Sequence, residues 1–89
     1  MKAVITVIGK DMVGILARLS GICAEKNANV IEVTQSVMQD MFAMIMLVDV
    51  SKLNCDFAQL QESLIKEGDA LGLSVHAMHE DLFNSMHTI

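Results

Sequence analysis

Apolar residues along the chain fall into two spacings, and each predicts a kind of element. Lys2 to Ile8 is short, β-branched and bounded by Gly9, which reads as a strand with apolar residues on both faces. From Val13 to Lys26, apolar residues recur at Ile15, Leu16, Leu19, Ile22 and Cys23, the three-and-four spacing of a helix with one buried stripe. Asp11 is the N-cap expected for that helix, and the segment Asn27-Ala28-Asn29 ends it, because Asn tolerates the left-handed conformation that a helix C-terminus needs. Val30 to Met38 alternates, with Ile31, Val33, Gln35 and Val37 on one face and Glu32, Thr34 and Ser36 on the other, the pattern of a half-buried strand. A turn at Gln39-Asp40-Met41 leads into Phe42 to Val50, apolar on both faces until Asp49.

Asp56 and Gln59 have the spacing of a capping box, and Phe57, Leu60, Leu64 and Leu71 supply the stripe of a second helix that Gly68 or Gly72 can end. Leu73 to His79 alternates again, and residues 80–89 form a polar tail carrying Leu82, Phe83 and Met86, compatible with a short helix. The order is βαββαβ, an α+β ferredoxin-like pattern in which two helices cover one face of a four-stranded antiparallel sheet. Residues 1–79 make that domain. The uncovered face receives either Phe42, Met44, Met46 and Val48 or Ala43, Ile45 and Leu47; the alternation leaves the choice open, and both sets are apolar. Either outcome calls for a covering partner and predicts a homodimer.

Composition narrows the function classes. At 89 residues and 53% hydrophobic, the chain is long enough for one domain and too apolar to be disordered. Its net charge of -5 opposes binding to nucleic acid or anionic lipid, and with no Trp or Tyr it lacks platforms for stacking bases. Cys23 and Cys55 suggest neither a disulfide framework nor a zinc ribbon, and the apolar run from Met1 to Ile8 is too short for a membrane span or a complete signal peptide, so a cytoplasmic protein is expected. Catalysis finds no support: the serines lack nucleophile-elbow glycines, there is no phosphate-cradling loop, and Cys23 lies on a core stripe. His76, His79 and His87 sit near Glu80 and Asp81, but His76 and His79 project to opposite faces of a strand, so no metal site or cofactor is expected.

One loop carries candidate chemistry. Gly9-Lys10-Asp11-Met12-Val13-Gly14-Ile15-Leu16 runs from a strand into a helix whose N-terminal amides favour a carboxylate, and Gly14 allows close approach of a ligand or of the backbone. Residues 9–20, followed by Asn29-Val30-Ile31 at the start of the next strand, resemble the ACT domain, the small-molecule-sensing module of amino-acid metabolism. The resemblance covers nearly the whole chain and is strongest to stand-alone prokaryotic ACT proteins similar to the ACT repeats of the glycine-cleavage-system transcriptional regulator. The family pattern is met by Asp11, Gly14, Ile15-Leu16 and Asn29; it is not met at Val13, where many members have Pro, or at Gly9, where some amino-acid-binding members have a polar side chain. The resemblance implies a non-enzymatic regulatory homodimer with a ligand pocket at its interface, lined by Asp11, Met12, Val13, Gly14, Ile15 and Asn29. There, Asp11 would pair with an amino acid's ammonium, while backbone amides and Asn29 would receive its carboxylate. The same residues have plainer roles, Asp11 as a helix cap and Asn29 as a turn former, and the apolar sheet face equally suits a ligand-free module that docks on another protein.

Overall fold

The sheet is built outward from β1 (Lys2–Lys10), which pairs antiparallel on one side with β3 (Met41–Asp49) and on the other with β4 (Ser74–His79). A computed structural model describes residues 1–10 and 14–86 of the chain. The remaining elements are α1 (Ile15–Glu25), β2 (Asn29–Met38), α2 (Phe57–Leu71) and α3 (Glu80–Met86), and the strand order is β2-β3-β1-β4. This is the βαββαβ arrangement expected, with one helix added at the end.

Register settles the faces of β3. Ile5 stands opposite Met46 on one side and Ala77 on the other, so Ala3, Ile5 and Val7 share a surface with Phe42, Met44, Met46 and Val48 and with Val75 and Ala77. The helices close over it with Ile15, Leu19 and Cys23 from α1 and Leu60 and Leu64 from α2, all nearly or fully buried. Met44 and Met46 sit inside this core, where their unbranched side chains fill irregular gaps. Ala43, Ile45 and Leu47 point the other way, and Ile45 and Ile8, the β1 residue opposite Ala43, are about half exposed. Val4 also lies on that second face, yet it is buried and separate from the main core, at the end where α3 packs against β1 and β4.

Several expectations need correction. The first helix starts at Ile15 rather than Val13, and its N-cap is Gly14, not Asp11. Leu16, assigned to its buried stripe, is exposed, because a third of a turn separates it from Ile15 and only one of the two can face the sheet. Val30 to Met38 does not alternate as a single series: a bulge between Val30 and Glu32 takes Ile31 out of the ladder, so that Val30 as well as Val33 packs against the core and Ile31 is exposed; Val37, opposite Phe42 and in register with Val33, is exposed as well. Met41 belongs to β3, and the turn is confined to Gln39-Asp40, with Gln39 at φ 58.

The helix ends follow local chemistry. Asn27 adopts φ 65 and, with Ala28, closes a Schellman motif: Asn27 N–H donates to Ala24 O at 3.2 Å and Ala28 N–H to Cys23 O at 2.7 Å. Gly72 ends α2 in the same way at φ 73, and the capping box at its start is present, with Asp56 N–H donating to Gln59 Oε1 at 3.0 Å. Gly68 is required for a different reason. A Cβ there would lie 2.4 Å from Val75 Cγ2 and 3.2 Å from Leu73 O, so α2 can approach β4 only without one. Gly68→Ala should therefore cost about 1–3 kcal/mol in urea unfolding, with part of the loss recovered in the Gly68→Ala/Val75→Ala double variant. Wild-type stability in the single variant would contradict the close approach.

Candidate functional site

Of the residues singled out in the sequence, Gly14, Ile15 and Asn29 are described, and they lie at the two ends of α1. At its N-terminus, Gly14 has φ 87, a left-handed conformation, and among the described residues no side-chain hydrogen bond caps the helix. Nothing lies within 4 Å of where a Gly14 Cβ would be, so Gly is favoured by backbone conformation and not by crowding. Ile15 is 2% exposed and belongs to the core, which leaves only its backbone available to a ligand. Asp11, Met12 and Val13 lie outside the described residues.

At the other end, Asn29 is the first residue of β2 and stands opposite Asp49 at the end of β3. Both line a pocket of about 500 Å3, together with Ser20 and Ala24 on α1, Asn27, Ala28, Val30 and Lys52. That volume is within the usual range of small-ligand sites, roughly 300–1,000 Å3. The Schellman turn at Asn27 brings the chain from α1 into β2 at this place, so one local motif forms the pocket wall and sets Asn29 at its edge. The Asp49 carboxylate is fixed by Ser51, whose Oγ–H and N–H both donate to Oδ1, the latter at 2.9 Å. These hydrogen bonds, the hydroxyl's first, hold its pKa below the ordinary 3.8, helped by the amino terminus and Lys2, so the group is an anion at neutral pH.

The two halves are far apart within one chain. Eleven residues rising about 1.5 Å each put roughly 16 Å of α1 between them. No single amino acid spans that distance. Asp49, Lys52, Ser20 and Asn27 were not predicted as site residues, because their meeting depends on the β2–β3 register and on how α1 lies over β2, neither of which is encoded in any local motif.

Other candidates remain separate. His76 and His79 project to opposite faces of β4, and His79 stacks on Phe57 with ring centroids 4.3 Å apart. Among the described residues, no three His, Cys, Asp or Glu side chains are grouped to hold a metal, and no helix is long and apolar enough to cross a membrane. Cys23 is fully buried, and that burial pushes its thiol up to about 11, so it is a packing residue and not a nucleophile.

Comparison with known proteins agrees with the fold. The sequence model of the ACT domain matches residues 2–78. A UPF0237 protein of Methanocaldococcus jannaschii is 48% identical over 88 residues, 99% of this chain and 98% of its own, and one of Listeria innocua is 40% identical over the full length of both. Among solved structures, an ACT domain protein from Streptococcus pneumoniae superposes with a TM-score of 0.80 at 32% identity, covering 100% of this chain and 97% of its own. A glycine cleavage system transcriptional repressor shares the fold, with a TM-score of 0.74 at 22% identity over 85% of this chain and 43% of that longer one.

Two measurements check the geometry. In an NMR titration the Asp49 carboxyl should have its midpoint below 3.8, and Ser51→Ala should move it up toward that value. Because the folded-state pKa is depressed, Asp49 adds stability above its unfolded value and loses that contribution as pH falls through the folded one, so Asp49→Asn should reduce the protein's acid sensitivity. At about pH 8 a thiol reagent should modify the half-buried Cys55 first and Cys23 only as the protein unfolds. Equal labelling of both under native conditions would contradict the core placement of Cys23.

Proposed function

The chain belongs to the ACT domain family, and we propose that it is a non-enzymatic regulatory module that binds an amino acid between two copies of itself. ACT domains are typically regulatory ligand-binding modules; the amino acid, the homodimer and the site are the finer reading. One observation carries it: Gly14 at the start of α1 and Asn29 with its polar pocket lie at opposite ends of that helix. Two copies with their α1 helices antiparallel would set the N-terminal end of each beside the Asn29 pocket of the other. The outward side of α1 is low enough for such an approach, since Ala17, Gly21 and Ala24 are exposed and no atom lies within 4 Å of a Gly21 Cβ position.

The strand edges favour the same arrangement. β2 is an edge strand of ten residues lying beside α1. β4, the other edge, is shorter, and its Ala77 carbonyl accepts a 2.7 Å hydrogen bond from Gln61 Nε2, which obstructs the addition of another strand. In the shared site, Asp11 would pair with the ligand's ammonium. The amides of Met12, Val13, Gly14 and Ile15 would receive its carboxylate with Asn29 of the other copy.

A second reading, a ligand-free docking module, draws on the half-exposed Ile8, Ile45 and Met41 of the uncovered sheet face. Thermal unfolding with each of the twenty amino acids at millimolar concentration separates the two. A ligand at about 100 times its Kd adds roughly 2.7 kcal/mol, which for a domain of this size raises Tm by about 10–20 °C. Asp11→Ala and Asn29→Ala should each weaken that ligand by about tenfold or more while the protein stays folded. Unchanged affinity in both variants would remove the site assignment, and no shift with any amino acid would favour docking.

A further inference from the structure

Two charged side chains of the Asn29 pocket, Asp49 and Lys52, are unused by a site that recognises only an ammonium and a carboxylate. We propose that they read the side chain of the bound amino acid and select a carboxamide, that of asparagine or glutamine. The inference rests on the amino-acid reading above and assigns the specificity of that same site.

Asp49 is directly opposite Asn29 on the neighbouring strand and lines the same pocket, so a ligand held by Asn29 would lie beside it. Ser51 occupies only Oδ1, leaving Oδ2 as an acceptor without a hydrogen bond among the described residues. Lys52 supplies donors from the same wall and makes no ion pair within 4.0 Å among those residues. The pocket wall thus offers an acceptor held by Ser51 and a donor of opposite charge, while Lys2, paired with Asp49 across β1, and the amino terminus act on the same carboxylate. A side chain that donates and accepts, and carries no charge, satisfies both at once. An acidic side chain would satisfy Lys52 but face the Asp49 anion; a basic one would satisfy Asp49 but face Lys52. An aliphatic side chain would leave both polar groups unpaired when a second copy closes the pocket, the circumstance in which a polar site rejects an apolar ligand most strongly.

Calorimetric titration of the wild-type protein with the twenty amino acids tests this directly. Glutamine or asparagine should bind tightest, with leucine and phenylalanine at least about a hundredfold weaker. Asp49→Ala and Lys52→Ala should each weaken carboxamide binding about tenfold or more, and in opposite directions beyond that: the first raises glutamate or aspartate relative to glutamine, the second raises lysine or arginine. Asp49→Asn, which keeps an acceptor for Ser51, guards against loss of fold and should show the same shift toward acidic ligands. Tightest binding of an aliphatic, aromatic, acidic or basic amino acid, or carboxamide binding indifferent to both variants, would overturn this specificity while leaving an amino-acid site in place. Binding of none of the twenty would overturn both.

Discussion

The packing of two helices on a single face of the sheet is the constraint from which the rest follows. Ile15, Leu19 and Cys23 of α1 and Leu60 and Leu64 of α2 meet Ile5, Val7, Met44, Met46 and Val48, and this one layer holds nearly all the apolar side chains that the molecule buries. A chain of 89 residues has little else to draw on. The layer must therefore be tight, which explains why Gly68 lets α2 approach Val75 so closely. It is also one-sided. Among the described residues, Ile8 and Ile45 have no helix over them, and α3 covers only the end near Val4.

The same packing determines where ligand chemistry can occur. With Ile15 and Cys23 both buried, α1 is anchored at its two ends and its length becomes a fixed spacer. A left-handed Gly14 starts the helix on one side, and the Schellman turn at Asn27 delivers Asn29 on the other. With α1 held on the sheet by its buried residues, its two ends stay apart in one copy. On the proposed reading, a site shared between copies would follow from that packing, and association and recognition would become one problem.

Most of the fold was legible because it depends on local periodicity. The alternation in β4, the capping box at Asp56 and the left-handed Asn27 are each decided within a few residues, and each is found as expected. What was not legible depends on partners distant in sequence. The alternation of Phe42 to Val48 and Ala43 to Leu47 was visible, but which set faced inward required the pairing of β3 with β1. The bulge at Ile31 compensates for a mismatch between β2 and β3, so no count along β2 alone could reveal it. Leu16 looked buried because a helical stripe in sequence is wider than the contact the sheet offers. On the candidate site, the motif pointed to Gly14 and Asn29 but gave no sign of Asp49. That residue matters only through the strand pairing that sets it against Asn29 and the turn that lets Ser51 hold its carboxylate.

A ligand that bridged two copies would give this small domain a means of signalling without any internal hinge. Binding and association would then be linked reciprocally: whatever factor dimerisation added to ligand affinity, the ligand would add to dimer affinity. The net charge of -5 per copy would work in the same direction, since mutual repulsion would weaken an unliganded pair and widen the range over which a ligand could act. A carboxamide ligand fits such a device better than a charged one. It would satisfy Asp49 and Lys52 without adding to the field between two acidic copies, so its binding energy would go to closing the interface and not to offsetting charge. The output of the proposed device would be the joined pair itself, in which the sheet faces around Ile8 and Ile45, already exposed in one copy, would be presented two at a time.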